Sequence, residues 1–354
     1  MPDRFPIPLE IVSERLQPLS EAVLIVPSYR AAAVTAGTLG EVLRLNPPGS
    51  FDLLVVDNGG EDVDEIRRAL STPHLQTIVL RQNAGPAGAF YVGMKRALEA
   101  GYRYFVLSDN DTELLTENGI GVLISKLPAD GLGVVAPTSL ARGRPSSGDE
   151  RVSRAYWEFF TLGRAAVERV GLVDPALFWG IDDYDYAMRL VSAGVPIVRT
   201  PDCRCYHPLS KPSALYNWST YSLLRGYLLV VFSRRPSPLA FRLRLETLAA
   251  MCAFVGARLL SSLRDPSIAR TLAIAARDAA RGRLTLELPA NNFRYEQVAC
   301  AEGRWIDLEG RLARLFPRRR YRVGDPRGGE SHCFERRSAR GRAREHGPAT
   351  RLDR

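Results

Sequence analysis

Tyr104-Phe-Val-Leu-Ser-Asp109-Asn-Asp111-Thr112 is a short apolar run that ends in acid. Such a run, bounded by turn formers, reads as a buried strand. The two carboxylates stand just past its end, two residues apart. In a sharp turn both can reach one cation without a dedicated protein cage. A D-x-D pair also occurs often on solvated loops, so the flanking segments decide how to read it.

Upstream the pattern alternates. Glu21-Ala-Val-Leu-Ile-Val-Pro27 reads as a strand closed by a Pro-Ser-Tyr loop, and residues 31–46 have helical spacing. Phe51-Asp-Leu-Leu-Val-Val-Asp57 reads as a second strand, ending at Asn58-Gly59-Gly60. Val63–Leu70 reads as a helix and Leu75–Leu80 as a third strand. The loop Asn83-Ala-Gly85-Pro-Ala-Gly88 leads into a helix through 89–100, and then comes the strand at 104–108. Strand, loop and helix repeated three times predict an α/β, doubly wound, mostly parallel sheet. Right-handed crossovers would bring Pro27, Asp57 and Asp109 to one edge, where ligands of open α/β sheets bind.

Downstream the pattern is less regular. Val134–Pro137 and Val195–Thr200 read as strands, 140–150 as a polar loop, and Phe159–Gly171 as a strand then a helix. Tyr186–Ala193 reads as a helix, and from Tyr216 to about Arg283 the spacing is helical. No internal repeat is visible.

With 354 residues, 45% hydrophobic, the chain can bury one large core and a small subdomain. No run approaches the ~20 apolar residues of a membrane span. The nearest are Leu223–Phe232, interrupted by Arg225, and Leu248–Ala257, which stops at Arg258. The opening Met-Pro-Asp-Arg-Phe carries no apolar leader, and the five cysteines show no zinc spacing. A cytoplasmic location is the expectation. The net charge of +9 is uneven: Arg318 to Arg354 holds 12 Arg and 5 acids, a net +7, leaving +2 for the rest. A nucleic-acid-binding body is disfavoured. The Arg- and Gly-rich tail is expected to be solvated and disordered.

Three further features carry chemistry. The Gly-rich loop 83–88 opens a helix, as phosphate-binding loops do, but lacks G-x-G-x-x-G and a Walker lysine. Phosphate contact and a plain tight turn both remain open. Asp57 either accepts from a nucleobase or ribose or caps its own turn. Ile181-Asp182-Asp183-Tyr184-Asp185 crowds three carboxylates beside aromatics, which raises the pKa of at least one and suits a general base. Asp185 is expected to cap helix 186–193, leaving Asp183 for chemistry. His207, in Cys205-Tyr-His-Pro-Leu-Ser-Lys211, follows both acidic clusters, so metal or phosphate contact is credible.

Together these residues resemble family-two glycosyltransferases of the GT-A fold. Val26-Pro27-Ser-Tyr29-Arg30 is similar to the first-strand loop that holds the nucleobase, and Val55-Val-Asp57-Asn-Gly59 to the second. Asn83-Ala-Gly85-Pro-Ala-Gly88 resembles the family's Asn-x-Gly-x-Ala-Gly loop. Ser108-Asp109-Asn110-Asp111 looks like its metal-binding turn, and Asp182-Asp183 like the acidic pair whose second member is the base. Phe178-Trp179 through Arg189, with His207 and Lys211, is closest to rhamnosyl- and galactofuranosyltransferase-like members. The resemblance covers roughly residues 20–285. The chain departs from the family pattern at Asn110, usually an acid, and at Arg225-Gly226, often Arg-Asn.

The resemblance implies a lead-in over 1–20, a nucleotide-sugar-binding catalytic domain over 21–215, a helical C-terminal region over 216–310 and the tail over 311–354. It implies inverting transfer from a nucleotide-diphosphate sugar to a glycan or lipid-linked acceptor, assisted by Mg2+ or Mn2+. Asp183 would be the base beside Asp182, with the metal on Asp109, Asp111 and His207. Pro27, Tyr29, Arg30, Asp57, Asn83, Gly85, Gly88 and Asp109 would hold the donor. Trp157, Trp179, Tyr184 and Lys211 are the acceptor candidates. The arginines of 216–283 suit either peripheral contact with the inner face of the cell membrane or an ordinary helical subdomain. A sugar nucleotidyltransferase would want a glycine in the loop after the first strand, and Pro27-Ser-Tyr-Arg-Ala has none. A non-catalytic sugar-binding protein would not need Asp182-Asp183.

Overall fold

The computed structural model describes residues 11–12, 16–142, 147–208, 216–232 and 238–284. Lys211 and the Arg-rich tail lie outside the described residues. Residues 1–296 form one compact unit; a second unit, 297–354, lies outside the described residues altogether.

The elements run in chain order as β1 (Ile11–Val12), β2 (Ala22–Ser28), α1 (Ala32–Leu45), β3 (Asp52–Asn58), α2 (Val63–Ala69), β4 (Leu75–Leu80), α3 (Gly85–Ala100) and β5 (Tyr104–Leu107). Next come β6 (Glu113–Leu114), α4 (Gly119–Ser125), β7 (Val134–Ser139), β8 (Glu150–Val152), β9 (Phe160–Gly163), α5 (Arg164–Val170), α6 (Asp182–Ser192) and β10 (Ile197–Tyr206). Helices α7 (Tyr216–Phe232), α8 (Pro238–Ser262) and α9 (Pro266–Arg281) follow.

The ten strands among the described residues join one sheet, in the order β1-β4-β3-β2-β5-β9-β7-β10-β6, with β8 also paired to β10. Strands β4, β3, β2 and β5 are mutually parallel, as the alternation predicts. Antiparallel β9 then turns the sheet over to β7 and β10. Parallel strands covered on both faces read as continuous apolar runs, and every residue of β3 is buried. Successive residues of β2 sort to opposite cores, as a strand's two-residue period requires. Val23 and Ile25 pack with α3, whereas Leu24 and Val26 pack with α1 and Ile66 of α2. The sheet is thus doubly wound and mostly parallel.

Three boundaries differ from expectation and matter to the site; the first is helix α3, which begins at Gly85 rather than 89, so that Gly85–Gly88 form its first turn. Strand β10 does not stop at Thr200. Its register with β7 shifts between Thr200 and Arg204, and it continues to pair with β6 as Cys205↔Leu114 and Tyr206↔Glu113. Pro201 and Asp202 disfavour a strand locally, so the extension comes from pairing. Helix α6 begins at Asp182 rather than Tyr186, with its three acids in the first turn.

Helices α7–α9 belong to the same compact unit as the sheet. Tyr221 and Leu224 of α7 bury against Ile268, Leu272 and Ala275 of α9. Asp265 caps α9 by accepting from the Ser267 N–H at 3.0 Å, and Pro266 fills the first turn, where a missing N–H costs nothing. Arg225 is buried and donates to the carbonyls of Arg283 (2.6 Å) and Ala176 (2.5 Å). At Gly226 a Cβ would run into Ile181, so α7 crosses close to the acidic cluster only with glycine there. The Arg225-Gly226 departure is therefore a packing feature. Arg244–Ser262 of α8 is long and apolar enough to cross a membrane by length and composition, with only 11% of that stretch buried. This corrects the expectation that Arg258 cuts the run short.

Candidate active site

The turn after β5 is held from two sides. Its Asp109 N–H donates to the Trp157 carbonyl at 2.7 Å. Asn110 turns away and donates to Thr35 Oγ1 at 2.9 Å. Thr35 in turn meets Ser28 Oγ at 2.8 Å, and Ser28 donates to Asp62 at 2.5 Å. The middle residue is a tie to the β2–α1 connection, which leaves the flanking carboxylates side by side.

His207 reaches them because of the β6–β10 register. With Tyr206 opposite Glu113, the residue that follows β10 falls beside the acidic turn. His207 Nε2 lies 3.0 Å from Asp111 and 3.8 Å from Asp109, and Nδ1 lies 3.3 Å from Glu158. Arg142 donates to the same Glu158 oxygen at 2.5 Å and stacks 3.7 Å over the Tyr156 ring. Burial works against an imidazolium at His207. The hydrogen bonds to Asp111 and Glu158 and the charges of both aspartates outweigh it, raising the pKa to about 10. Burial likewise pushes Glu158 up, but its bonds from His207 and Arg142 hold it below the usual range. Asp109 sits well above that range, chiefly through burial. The charges of Asp111, Asp182 and Asp183 add to the effect and His207 opposes it.

The second acidic cluster sits at the N-terminus of α6. Asp182 is buried and accepts from Trp157 Nε1 at 2.7 Å and from the Gly180 N–H at 3.0 Å. Asp183 is half-buried and accepts from the Tyr184 N–H at 2.6 Å. Burial, and next the adjacent Asp182, raise the Asp183 pKa to about 7, with Arg142 and that backbone bond opposing. A helix N-terminus favours carboxylates by up to ~1 kcal/mol at exposed sites, too little here to offset burial beside a second acid. Asp185 does not cap the helix: it pairs with Arg189 at 2.9 Å, one turn on, correcting that expectation. Asp109, Asp111, His207, Asp182 and Asp183 thus share one electrostatic site at the carboxyl end of β5.

This arrangement occurs in a chain whose residues 23–184 match the model described as glycosyl transferase family 2. Residues 23–184 are a family 2 glycosyltransferase domain. The uncharacterized protein Rv1525 of Mycobacterium tuberculosis is 26% identical over 202 residues, 52% of this chain and 72% of the relative. Uncharacterized protein Mb1552 of Mycobacterium bovis matches to the same extent. Among solved structures, a mannosyltransferase of Pyrobaculum calidifontis in complex with GDP-Man and Mn2+ aligns with a TM-score of 0.52 at 17% identity. The alignment covers 77% of this chain and 90% of that one. S. aureus TarS 1–349 in complex with UDP-GlcNAc aligns at 0.51 and 15%, covering 74% and 81%. At these identities the likeness is one of fold, and the fold is GT-A.

Within the family 2 domain, several expected donor residues have their polar groups engaged internally. Both Asp57 oxygens accept backbone N–H groups: Oδ1 from Gly60 (2.9 Å), and Oδ2 from Asp62 (3.0 Å) and Val63 (2.9 Å). The carboxylate shapes the turn into α2, which is the capping alternative. Asn83 Oδ1 accepts from Asn58 and from the Gly85 N–H, joining two loops. Gly85 has φ +70°, and a Cβ there would fall on the Phe178 backbone; the Ala87 N–H donates to the Phe178 carbonyl at 3.2 Å. At Gly88 a Cβ would meet Ala84. The Gly-rich loop thus seats the segment leading to Asp182 and Asp183. Tyr29 packs along Gly59, and Pro27 is half-buried in β2. Arg30, at φ +51°, is exposed and paired with Glu61 at 2.9 Å.

Trp157 is corrected outright. It is buried against Phe90, Phe160 and Tyr186 and offers no face to an acceptor. Trp179 is half-buried, its carbonyl taken by Ser222. Tyr184 bonds Thr247 at 2.8 Å, with Arg154 over its ring. The residues not anticipated are Glu158, Arg142 and Thr35. An acid inside Tyr156-Trp-Glu-Phe-Phe160 is the signal that marks Glu158, because an acid is rarely buried without a partner.

Carboxylates and imidazole are both metal-ligand types, and acids this near one another repel without a positive charge among them. Among the described residues, no group of three or more His, Cys, Asp or Glu side chains is arranged so that it could hold a metal ion. His207 instead supplies the positive charge, as an imidazolium bonded to the carboxylates.

Proposed function

We propose that the chain transfers a sugar from a nucleotide-diphosphate sugar to a hydroxyl of a glycan or lipid-linked acceptor, with inversion. The reading rests on the convergence of Asp109, Asp111 and His207 with Asp183 at one sheet edge of a family 2 domain. Asp183 accepts the proton of the acceptor hydroxyl as that oxygen attacks the anomeric carbon. The bond to the diphosphate breaks, and its electron pair leaves with the nucleoside diphosphate. Burial first, and then Asp182, fixed by Trp157 and Gly180, keep the pKa of Asp183 raised, so Asp183 acts as a base near neutral pH. A divalent cation on Asp109, Asp111 and His207 would neutralise the departing diphosphate. Pro27, Tyr29, Arg30 and Asp57 border the edge where the nucleotide would lie. Asn83, Gly85 and Gly88 act indirectly, through the loops they hold. The narrower likeness to rhamnosyl- and galactofuranosyltransferases, and acceptor contact by Trp179, Tyr184 and Lys211, are part of this proposal.

Screening nucleotide sugars for thermal stabilisation tests it. A donor at a hundredfold over its Kd stabilises by about 2.7 kcal/mol, a shift of several degrees for a domain of this size. The shift is expected for one or a few donors, and only with Mn2+ or Mg2+. No metal-dependent shift with any donor contradicts the proposal. Metal uptake must also displace the His207 proton, because only a neutral imidazole ligates. At pH 7, below its pKa of about 10, binding of Mn2+ releases a proton. The calorimetric heat then varies with the buffer's ionisation enthalpy; a heat independent of buffer removes His207 from the ligand set.

A further inference from the structure

Trp157 touches both acidic clusters. Its carbonyl accepts the Asp109 N–H at 2.7 Å, and its indole Nε1–H donates to Asp182 at 2.7 Å. One end of the residue therefore holds the turn after β5, and the other holds the first turn of α6, which carries Asp183. Its sequence neighbours complete the frame. Tyr156 lies under the Arg142 guanidinium, and Glu158 pairs with both Arg142 and His207. The backbone here leaves the β5–β9 ladder, whose last pair is Leu107↔Phe160. Phe159 has φ +54°, a left-handed conformation that a bulky residue rarely adopts. The Trp157 ring has no room to swing. It is 4% exposed, with the ring centres of Phe90, Phe160 and Tyr186 at 4.9, 5.4 and 5.9 Å. An indole meets both demands of this position: it fills an apolar pocket and carries a donor, never an acceptor, at its edge.

We infer that Trp157 is a positioning residue, a strut that fixes the separation between the turn at Asp109 and the turn at Asp182 and Asp183. The strut rests on two hydrogen bonds and a packed ring. Its catalytic consequence rests on the proposed reaction, in which Asp109 stands on the donor side and Asp183 on the acceptor side. There the acceptor oxygen, the anomeric carbon and the leaving diphosphate oxygen must fall in line. A misplacement of about 1 Å between the two sides costs on the order of 10^2-fold in rate. A stiff side chain bonded at both ends removes that freedom. A phenyl ring at 157 would keep the apolar packing and the backbone bond to Asp109, but would release Asp182 from one of its two donors.

The indole N–H resonances of the full chain test the strut without any reaction. The chain has four tryptophans, and the Trp157 signal is the one that Trp157→Phe removes. Asp182→Asn is expected to move that signal upfield in the proton dimension, because a neutral acceptor replaces a carboxylate. A Trp157 signal that Asp182→Asn leaves in place overturns the inference. Kinetics test the positioning. Trp157→Phe is expected to lower kcat about 10^2-fold while the donor Kd stays within about threefold, with an unchanged circular dichroism spectrum. Made on top of Asp182→Leu, which has no acceptor to offer the indole, the same change lowers kcat by less than about threefold further. A full hundredfold loss in that background would mean that Trp157 acts by another route. A wild-type kcat in Trp157→Phe would mean that it positions nothing. Either result overturns the inference. Should no donor be transferred, the proposed reaction falls, and the resonance alone decides the strut.

Discussion

Asp183→Asn lowers transfer by about 10^2–10^4-fold while leaving the donor bound, the range a positioned proton acceptor contributes. The substitution keeps size and shape. Asn Oδ1 can still accept the Tyr184 N–H bond that Asp183 makes at 2.6 Å, so α6 keeps its first turn. What is lost is the capacity to take a proton. The loss is large because its neighbours are poor substitutes: Arg142 is already a cation, and Asp182 is buried and engaged by Trp157 and Gly180. The measurement is kcat beside the Kd of the donor. Turnover within about threefold of wild type would remove Asp183 from the role of base; lost donor binding would give it a different one.

Asp109→Asn is the second large effect. Its backbone N–H still donates to Trp157, so the turn persists, but the site loses a carboxylate whose pKa burial and the neighbouring acids raise. Losing a ligand of the cation that would neutralise the departing diphosphate costs about 10^2–10^3-fold in kcat. The thermal stabilisation by a nucleotide sugar should lose its dependence on Mn2+ in this variant. A variant that keeps the full metal-dependent shift would place the cation elsewhere. Asn110→Ala removes only the tie to Thr35 and should leave that metal dependence in place.

The parts of this architecture that were legible in the sequence are those fixed by local pattern. Strands β2, β3, β4 and β5 are apolar runs closed by turn residues, and parallel strands buried on both faces must look that way. The acids at their ends were equally visible, because a carboxylate at a strand end is conspicuous. What local pattern hid was set by pairing at a distance. Strand β10 runs through Pro201 and Asp202 because β6 and β7 hold it, and this extension delivers His207 to Asp111. Glu158 and Arg142 lie 49 and 65 residues before His207 and meet it only in the folded chain. The Gly-rich loop resembled a phosphate cradle, yet Gly85 is required by the approach of Phe178, a contact across 93 residues. Trp157 shows the same limit: an aromatic near the acids is as readily core as platform, and here it is core.

The stereochemistry of the product tests the account most directly. With Asp183 as base and no covalent enzyme intermediate, the acceptor oxygen attacks the face opposite the leaving diphosphate. Proton NMR of the first product formed, with whichever donor stabilises the protein, should show the anomeric configuration opposite to that of the donor. A product that retains the donor's configuration would contradict single displacement and the role given to Asp183.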